Sequence, residues 1–315
     1  MKADSISFNI QHPVPEDLDR VFNFMIECDI AEFGEADSDK DDLTDQWSEA
    51  DLAADVWMAS NQAGELTGYA LLSDEFNGRR YLDLYLHTGR SPQGLAEALL
   101  DQAVERFTSL VKAGSSASDC ILTAYANGLN PGMRSAYESH GFGVEKFHYR
   151  MQMDFTEPYP APLWPDEFTL APVTPADERP LHDLIISAFD WQGVQPLSFE
   201  DWHKQIFRGG RYDPEMFLML HKAGRLVGAA ICYDEESRIW LKELAVSKEL
   251  QGQGIGSLLL KQVFALAGQR GTKSPAGGIP TVALGVVSLN AKANAFYERS
   301  GMTRTREFVQ YHRKA

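Results

Sequence analysis

The most regular hydrophobic pattern runs through the second half of the chain. FTLAPV (168–173) has the apolar character of a strand, and PADERPLHDLIISAF (175–189) spaces its apolar residues at helical intervals. FLMLHKAGRLVGAAICYDE (217–235) is two apolar runs separated by Lys222–Ala223–Gly224–Arg225, which predicts a hairpin. RIWLKELAV (238–246) predicts the next strand, and GSLLLKQVFALAGQR (256–270) a helix with one apolar face. After a Gly/Pro loop, TVALGVV (281–287) predicts a buried strand. AKANAFYERSG (291–301) predicts a short helix closed by Gly301, with a final strand after it. Strands and helices interleaved in this way predict an α/β unit with a mixed sheet, α+β in character.

The same unit occurs twice, displaced by 160 residues. AGELTGYALLSDE (63–75) lies over AGRLVGAAICYDE (223–235) with seven identities in thirteen positions, where average residue usage would give roughly one. The register also pairs Phe8 with Phe168, Pro15 with Pro175, Leu84 with Leu244, Gly94 with Gly254, Asn130 with Asn290, Tyr137 with Tyr297 and Gly141 with Gly301. A period this long is a domain rather than a solenoid unit. Between the copies, DFTEPYPAPLWPD (154–166) carries Pro158, Pro160, Pro162 and Pro165, a density that excludes helix and central strand and predicts a stiff connector. The expected division is residues 1–153, a linker over 154–166, and residues 167–315.

Composition narrows the function. With 29 Lys and Arg against 45 Asp and Glu, the net charge is −16. A surface this acidic repels phosphate backbones and anionic headgroups, so general nucleic-acid or membrane-surface binding is disfavoured, while cationic molecules are attracted. The three cysteines, Cys28, Cys120 and Cys232, form neither an even set nor a CxxC metal spacing, which fits a reduced compartment and no metal. The N-terminal stretch lacks a signal-peptide apolar core, and no apolar run is long enough to span a bilayer. A cytoplasmic location is expected.

The chemistry concentrates where the strand ending at Val246 runs through Gln251-Gly252-Gln253-Gly254-Ile255-Gly256 into a helix. Unpaired amides and the positive dipole end at a helix start attract anions, and glycines let backbone approach phosphate oxygens. A dinucleotide fingerprint fails because Leu259 stands at the third glycine position, and no Gly-Lys-Ser/Thr makes a P-loop.

Here the chain resembles the GNAT superfamily of acyl-CoA-dependent N-acetyltransferases, in a tandem form. The superfamily's motif of Gln or Arg, two residues, Gly, one residue, Gly or Ala matches Gln251, Gly254 and Gly256. A second signature of Asn, then Ala, Tyr and Gly at +3, +7 and +11, matches Asn290, Ala293, Tyr297 and Gly301. The resemblance implies two GNAT-like domains and acetyl-CoA as co-substrate. It implies that the backbone of Leu244 and Val246 pairs with the pantetheine arm. The amides of Gly252, Gln253, Gly254, Gly256 and Ser257 would hold the diphosphate, Asn290 would contact the pantetheine, and Tyr297 would stand near the thioester sulfur as proton donor. Glu243, three residues before Val246, is the leading base, although a bulge there would alter which way it faces. His203, His221 and the Asp234-Glu235-Glu236 turn are weaker alternatives.

Shifted back by 160, the diphosphate motif becomes Ser91-Pro92-Gln93-Gly94-Leu95-Ala96. Ser91 replaces the leading Gln, and Pro92 lacks an amide to donate. The first domain is therefore expected to be degenerate and the second catalytic. Residues 27–55 carry twelve acidic residues against Lys40 alone, either a solvated segment or one that draws in a cationic amine. The expected acceptor is a primary amine of a small molecule or peptide. A non-catalytic acyl-CoA-binding sensor is the competing expectation, and the oligomeric state is open.

Overall fold

The computed structural model describes residues 8–74, 79–113, 120–189, 196–207, 212–235, 238–271 and 278–315. The first repeat contains β1 (Asn9–Gln11), α1 (Leu18–Phe33), α2 (Lys40–Glu49), β2 (Val56–Ser60), β3 (Leu66–Asp74), β4 (Arg79–Leu86), α3 (Leu95–Ala113), β5 (Ile121–Asn127), α4 (Pro131–Ser139) and β6 (Gly143–Met153). The second runs through the same sequence of elements: β7 (Phe168–Pro172), α5 (Glu178–Phe189), α6 (Phe199–Ile206), β8 (Phe217–Lys222), β9 (Arg225–Asp234), β10 (Arg238–Val246), α7 (Ile255–Gly271), β11 (Thr281–Val287), α8 (Ala291–Arg299) and β12 (Thr303–Lys314). The mixed α/β architecture and the duplication read from the sequence are both present.

Two compact units form, one of residues 1–148 with 307–315 and one of residues 149–306. In the first, β1, β2, β3 and β4 pair antiparallel in order, β4 and β5 pair parallel, and β12 lies antiparallel beside β5, from Phe308 opposite Asn127 to Lys314 opposite Ile121. In the second, β7, β8, β9 and β10 pair antiparallel and β10 pairs parallel with β11. Val309 and Tyr311 of β12 are buried in the first unit's core, and Met151 of β6 in the second's.

Local chemistry explains the elements. The β8–β9 hairpin turns through Ala223 and Gly224 at φ of 49° and 74°, the paired positive values of a type I′ turn. Gly68 and Gly228 match because a helix leans on each. A Cβ on Gly68 would stand 2.9 Å from Leu95, and one on Gly228 would stand 3.0 Å from Leu259. Helix α5 begins at Glu178, later than its periodicity predicts, because the Asp177 carboxylate accepts from the Thr174 amide and hydroxyl and fixes the entry turn. The proline-rich stretch is neither helix nor strand and packs along α7. Tyr159 meets Phe264 edge-on at 5.3 Å, and Trp164 donates to Gln262.

Among the described residues no helix is long and apolar enough to cross a membrane.

Candidate active site

Two irregularities in β10 build the site. The register with β11 covers Arg238 to Trp240, whereas β10 continues to Val246 against β9 on its other edge. From Leu241 onward the side of β10 toward β11 is therefore open, and a cleft forms where parallel strands diverge. Along the β9 edge, Leu241 pairs with Cys232 and Glu243 with Ile231, so Lys242 is an extra residue, a β-bulge. The bulge resets the alternation: Lys242 is exposed while Glu243 and Leu244 are partly buried.

The strand leads through Leu250 into the glycine turn. Gly252 and Gly254 adopt φ of 76° and 84°, a left-handed conformation that costs an ordinary L-residue on the order of 1–2 kcal/mol. The Gln251 side chain donates to the Val246 carbonyl at 3.1 Å, tying the turn to the strand end. Among the described residues, the amides of Gly252, Gly254, Ile255 and Gly256 have no acceptor within the chain. Those of Gln253 and Ser257, also expected to face a diphosphate, donate to Leu250 at 3.3 Å and to Gly254 at 3.0 Å. The open amides and the start of α7 together make a cradle that suits a diphosphate. The residues present therefore fit the thioester carrier, with Ile255 supplying an amide that motif reading omits.

Beyond β11, Asn290 caps α8: its side-chain oxygen accepts from Ala293 at 3.1 Å, which leaves its NH2 group able to donate elsewhere. Asn294, which sequence reading missed, holds this loop by donating to the carbonyls of Val287, Ser288 and Asn290. Phe296 approaches the turn, its ring edge 3.9 Å from where a Cβ on Gly256 would stand. Strand end, glycine turn and α8 thus converge.

Tyr297 follows Phe296, the two rings 5.1 Å apart. A buried phenol needs a hydrogen-bond partner. Among the described residues it has none, which leaves the phenol for a ligand. Burial raises its pKa and the Glu243 charge raises it further. Glu243 forms no hydrogen bond or salt bridge among the described residues. Burial pushes its carboxyl up to about 7, partly offset by adjacent Lys242. The site thus combines an amide cradle, an open strand edge, a free phenol and a desolvated carboxyl near neutrality.

The weaker candidates are occupied elsewhere. His203 stacks on Phe207 at 4.6 Å and contacts Glu178 at 3.0 Å, and His221 contacts Asp177 at 2.8 Å. Asp234 and Glu235 meet Arg270 and Arg238, and Glu236 lies outside the described residues.

The corresponding places in the first unit differ. Strand β4 pairs with β3 through Leu82, Asp83 and Leu84 without a bulge. Pro92 offers no amide, and the Leu95 amide, counterpart of that of Ile255, donates to the Pro92 carbonyl at 3.2 Å. Tyr137 is fully buried, its hydroxyl donating to the Tyr125 carbonyl at 3.4 Å.

The fold is similar to that of known proteins. Residues 179–302 match the model of the Acetyltransferase (GNAT) family. The chain is 26% identical over 273 residues to a mycothiol acetyltransferase of Stackebrandtia nassauensis, covering 82% of each protein. A GCN5-related N-acetyltransferase from Sphaerobacter thermophilus superposes with a TM-score of 0.81 at 23% identity, over 99% of this chain and 96% of that one. A tandem GNAT protein from the clavulanic acid biosynthesis pathway superposes with a TM-score of 0.72 at 16% identity, over 98% of both chains. The chain has the GNAT acetyltransferase fold, in tandem.

Proposed function

From this tandem GNAT fold, we propose that the second unit is an N-acetyltransferase that moves an acetyl group from acetyl-CoA to a primary amine, and that the first unit does not turn over. The pairing of a free Tyr297 phenol with a desolvated Glu243 beside the open amide cradle carries the proposal. The amides of Gly252, Gly254, Ile255 and Gly256 hold the diphosphate, while the Leu244–Val246 backbone and the Asn290 NH2 group align the pantetheine. Within a ternary complex the neutral amine attacks the acetyl carbonyl carbon. As the carbon–nitrogen bond forms, the nitrogen loses a proton to Glu243, directly or through water. The carbon–sulfur bond then breaks, and the thiolate receives a proton from Tyr297. A base with pKa near 7 suits this task, because it is substantially ionised at neutral pH yet still basic. Tyr297 stays protonated at neutral pH, so its hydroxyl can donate a hydrogen bond to the departing thiolate and pass the proton as charge builds on sulfur.

The acceptor class follows from net charge of −16, which favours cationic amines at encounter. The curated relative is named for mycothiol, so a mycothiol-type amine belongs in any acceptor panel. The deciding experiment follows free thiol release from acetyl-CoA across such a panel. Release with an amine, lost in Tyr297→Phe, supports the transferase. Tight CoA binding without release for any amine favours an acyl-CoA sensor instead.

A further inference from the structure

The turn between β11 and α8 is held largely from one residue. Asn294, one helical turn into α8, aims its NH2 group back at the carbonyls of Val287 at 3.1 Å, Ser288 at 3.2 Å and Asn290 at 2.8 Å. Its side-chain oxygen is buried and accepts from no group among the described residues. The three carbonyls therefore set the orientation of this amide, since turning it over would press oxygen against oxygens. A buried acceptor without a donor is costly, and the chain forgoes that bond to keep the clamp. Apolar packing does not anchor the apex of the turn, where Leu289 is 80% exposed.

Asn290 is consequently fixed at every polar atom but one. Its amide donates to the Val287 carbonyl at 3.0 Å, its carbonyl accepts from the Asn294 amide at 2.9 Å and from the Asn294 side chain, and its side-chain oxygen accepts from the Ala293 amide. Its NH2 group alone has no partner among the described residues. The first unit is built differently here. Arg134 stands at the Asn294 position of the 160-residue register. It reaches one carbonyl of the matching turn, that of Gly128 at 3.4 Å, and donates besides to the Tyr311 hydroxyl at 3.2 Å. Asn130 donates its NH2 group to Glu32 at 3.0 Å. The clamp and the uncommitted NH2 group thus occur together in the second unit, and the first has neither.

We propose that Asn294 is a positioning residue for CoA: by presetting the β11–α8 turn it holds the Asn290 NH2 group where the pantetheine passes. This rests on the reading of the second unit as the CoA-binding half, and adds to it a residue outside both signatures. Ordering a loop on binding lowers affinity, so a preset turn binds more tightly than a loose one carrying the same groups.

The test is calorimetric titration with CoA itself, which needs no acceptor. Asn294→Leu is close in shape and removes the donors, so its CoA dissociation constant should rise about tenfold. Asn290→Ser keeps a capping oxygen for α8 and removes the NH2 group. In that background Asn294→Leu should change the dissociation constant by less than about twofold, because the group it positions is gone. A merely structural Asn294 would give the same loss in both backgrounds. That result, or unchanged affinity in Asn294→Leu alone, would overturn the proposal. A second readout uses wild type only. In protein with isotope-labelled asparagine, the Asn294 NH2 hydrogens should exchange slowly before CoA is added, and the Asn290 NH2 resonance should move on adding it. Fast exchange at Asn294 without CoA, or an unmoved Asn290 resonance on CoA uptake, would equally overturn it. A wild type that takes up no CoA sinks the transferase reading together with the proposal, whereas uptake with an additive cycle sinks the proposal alone.

Discussion

Glu243 shows how one side chain trades stability against function. Its folded-state pKa of about 7 lies above the ordinary glutamate value of 4.5, so the folded protein holds this proton more tightly than the unfolded chain. Stability contributed by the neutral carboxyl is present in acid and is lost as pH rises from about 4.5 to 7. The full shift corresponds to an upper bound on the order of 3 kcal/mol at alkaline pH. Glu243→Gln should therefore raise the melting temperature at pH 8 and change it little at pH 4, while reducing kcat about a hundredfold or more. In wild type, kcat should climb through pH 7 as the base ionises. Tyr297→Phe should lower kcat by a similar order with the acetyl-CoA KM little changed, because the phenol acts when the thiolate departs. Rate and denaturation profiles against pH, measured on the same preparations, check both variants.

At the scale of elements, the glycine turn and its degenerate copy make opposite predictions. Gly254→Val places a branched side chain at φ of 84°, and with Gln251→Ala, which cuts the turn's tie to Val246, turnover should be abolished. The corresponding double change at Ser91 and Gly94 should leave most of it. Initial rates on the two variants decide. Gly228→Ala tests packing, since the new methyl would meet Leu259 at 3.0 Å and Leu220 at 3.3 Å. Overpacking of this kind costs about 1–3 kcal/mol, readable by denaturant titration. The tight turn was legible in the sequence because it is local: Lys222–Ala223–Gly224–Arg225 between two apolar runs reports it, whereas the helix leaning on Gly68 and Gly228 shows only in the fold. The bulge at Lys242 was not legible, because it arises from pairing with β9 and leaves no residue signature of its own. The kinship of Asp83 and Glu243, by contrast, is written in the same 160-residue register that pairs Leu84 with Leu244, and the strand pairing agrees with it. The acidic run was visible, but which of its carboxylates turn inward depends on how α1 packs.

Over the whole molecule, the chain order and the compact units diverge. The repeat is sequential, yet residues 307–315 complete the first unit. No local pattern announces this, because β6 and β12 occupy equivalent places in the two repeats and the choice between them is a long-range one. Truncation after Arg306 should expose the β12-facing edge of β5 and remove Val309 and Tyr311, both fully buried. Amide exchange over residues 121–127 should accelerate markedly in that variant while β9 and β10 keep their protection. The exchanged strand also orders events on the ribosome. Residues 149–306 must emerge before the last strand of the first unit exists, an interval of roughly 8–30 s at ordinary elongation rates. The earlier-made half thus waits for the later one, its β5 edge without the strand that finally covers it.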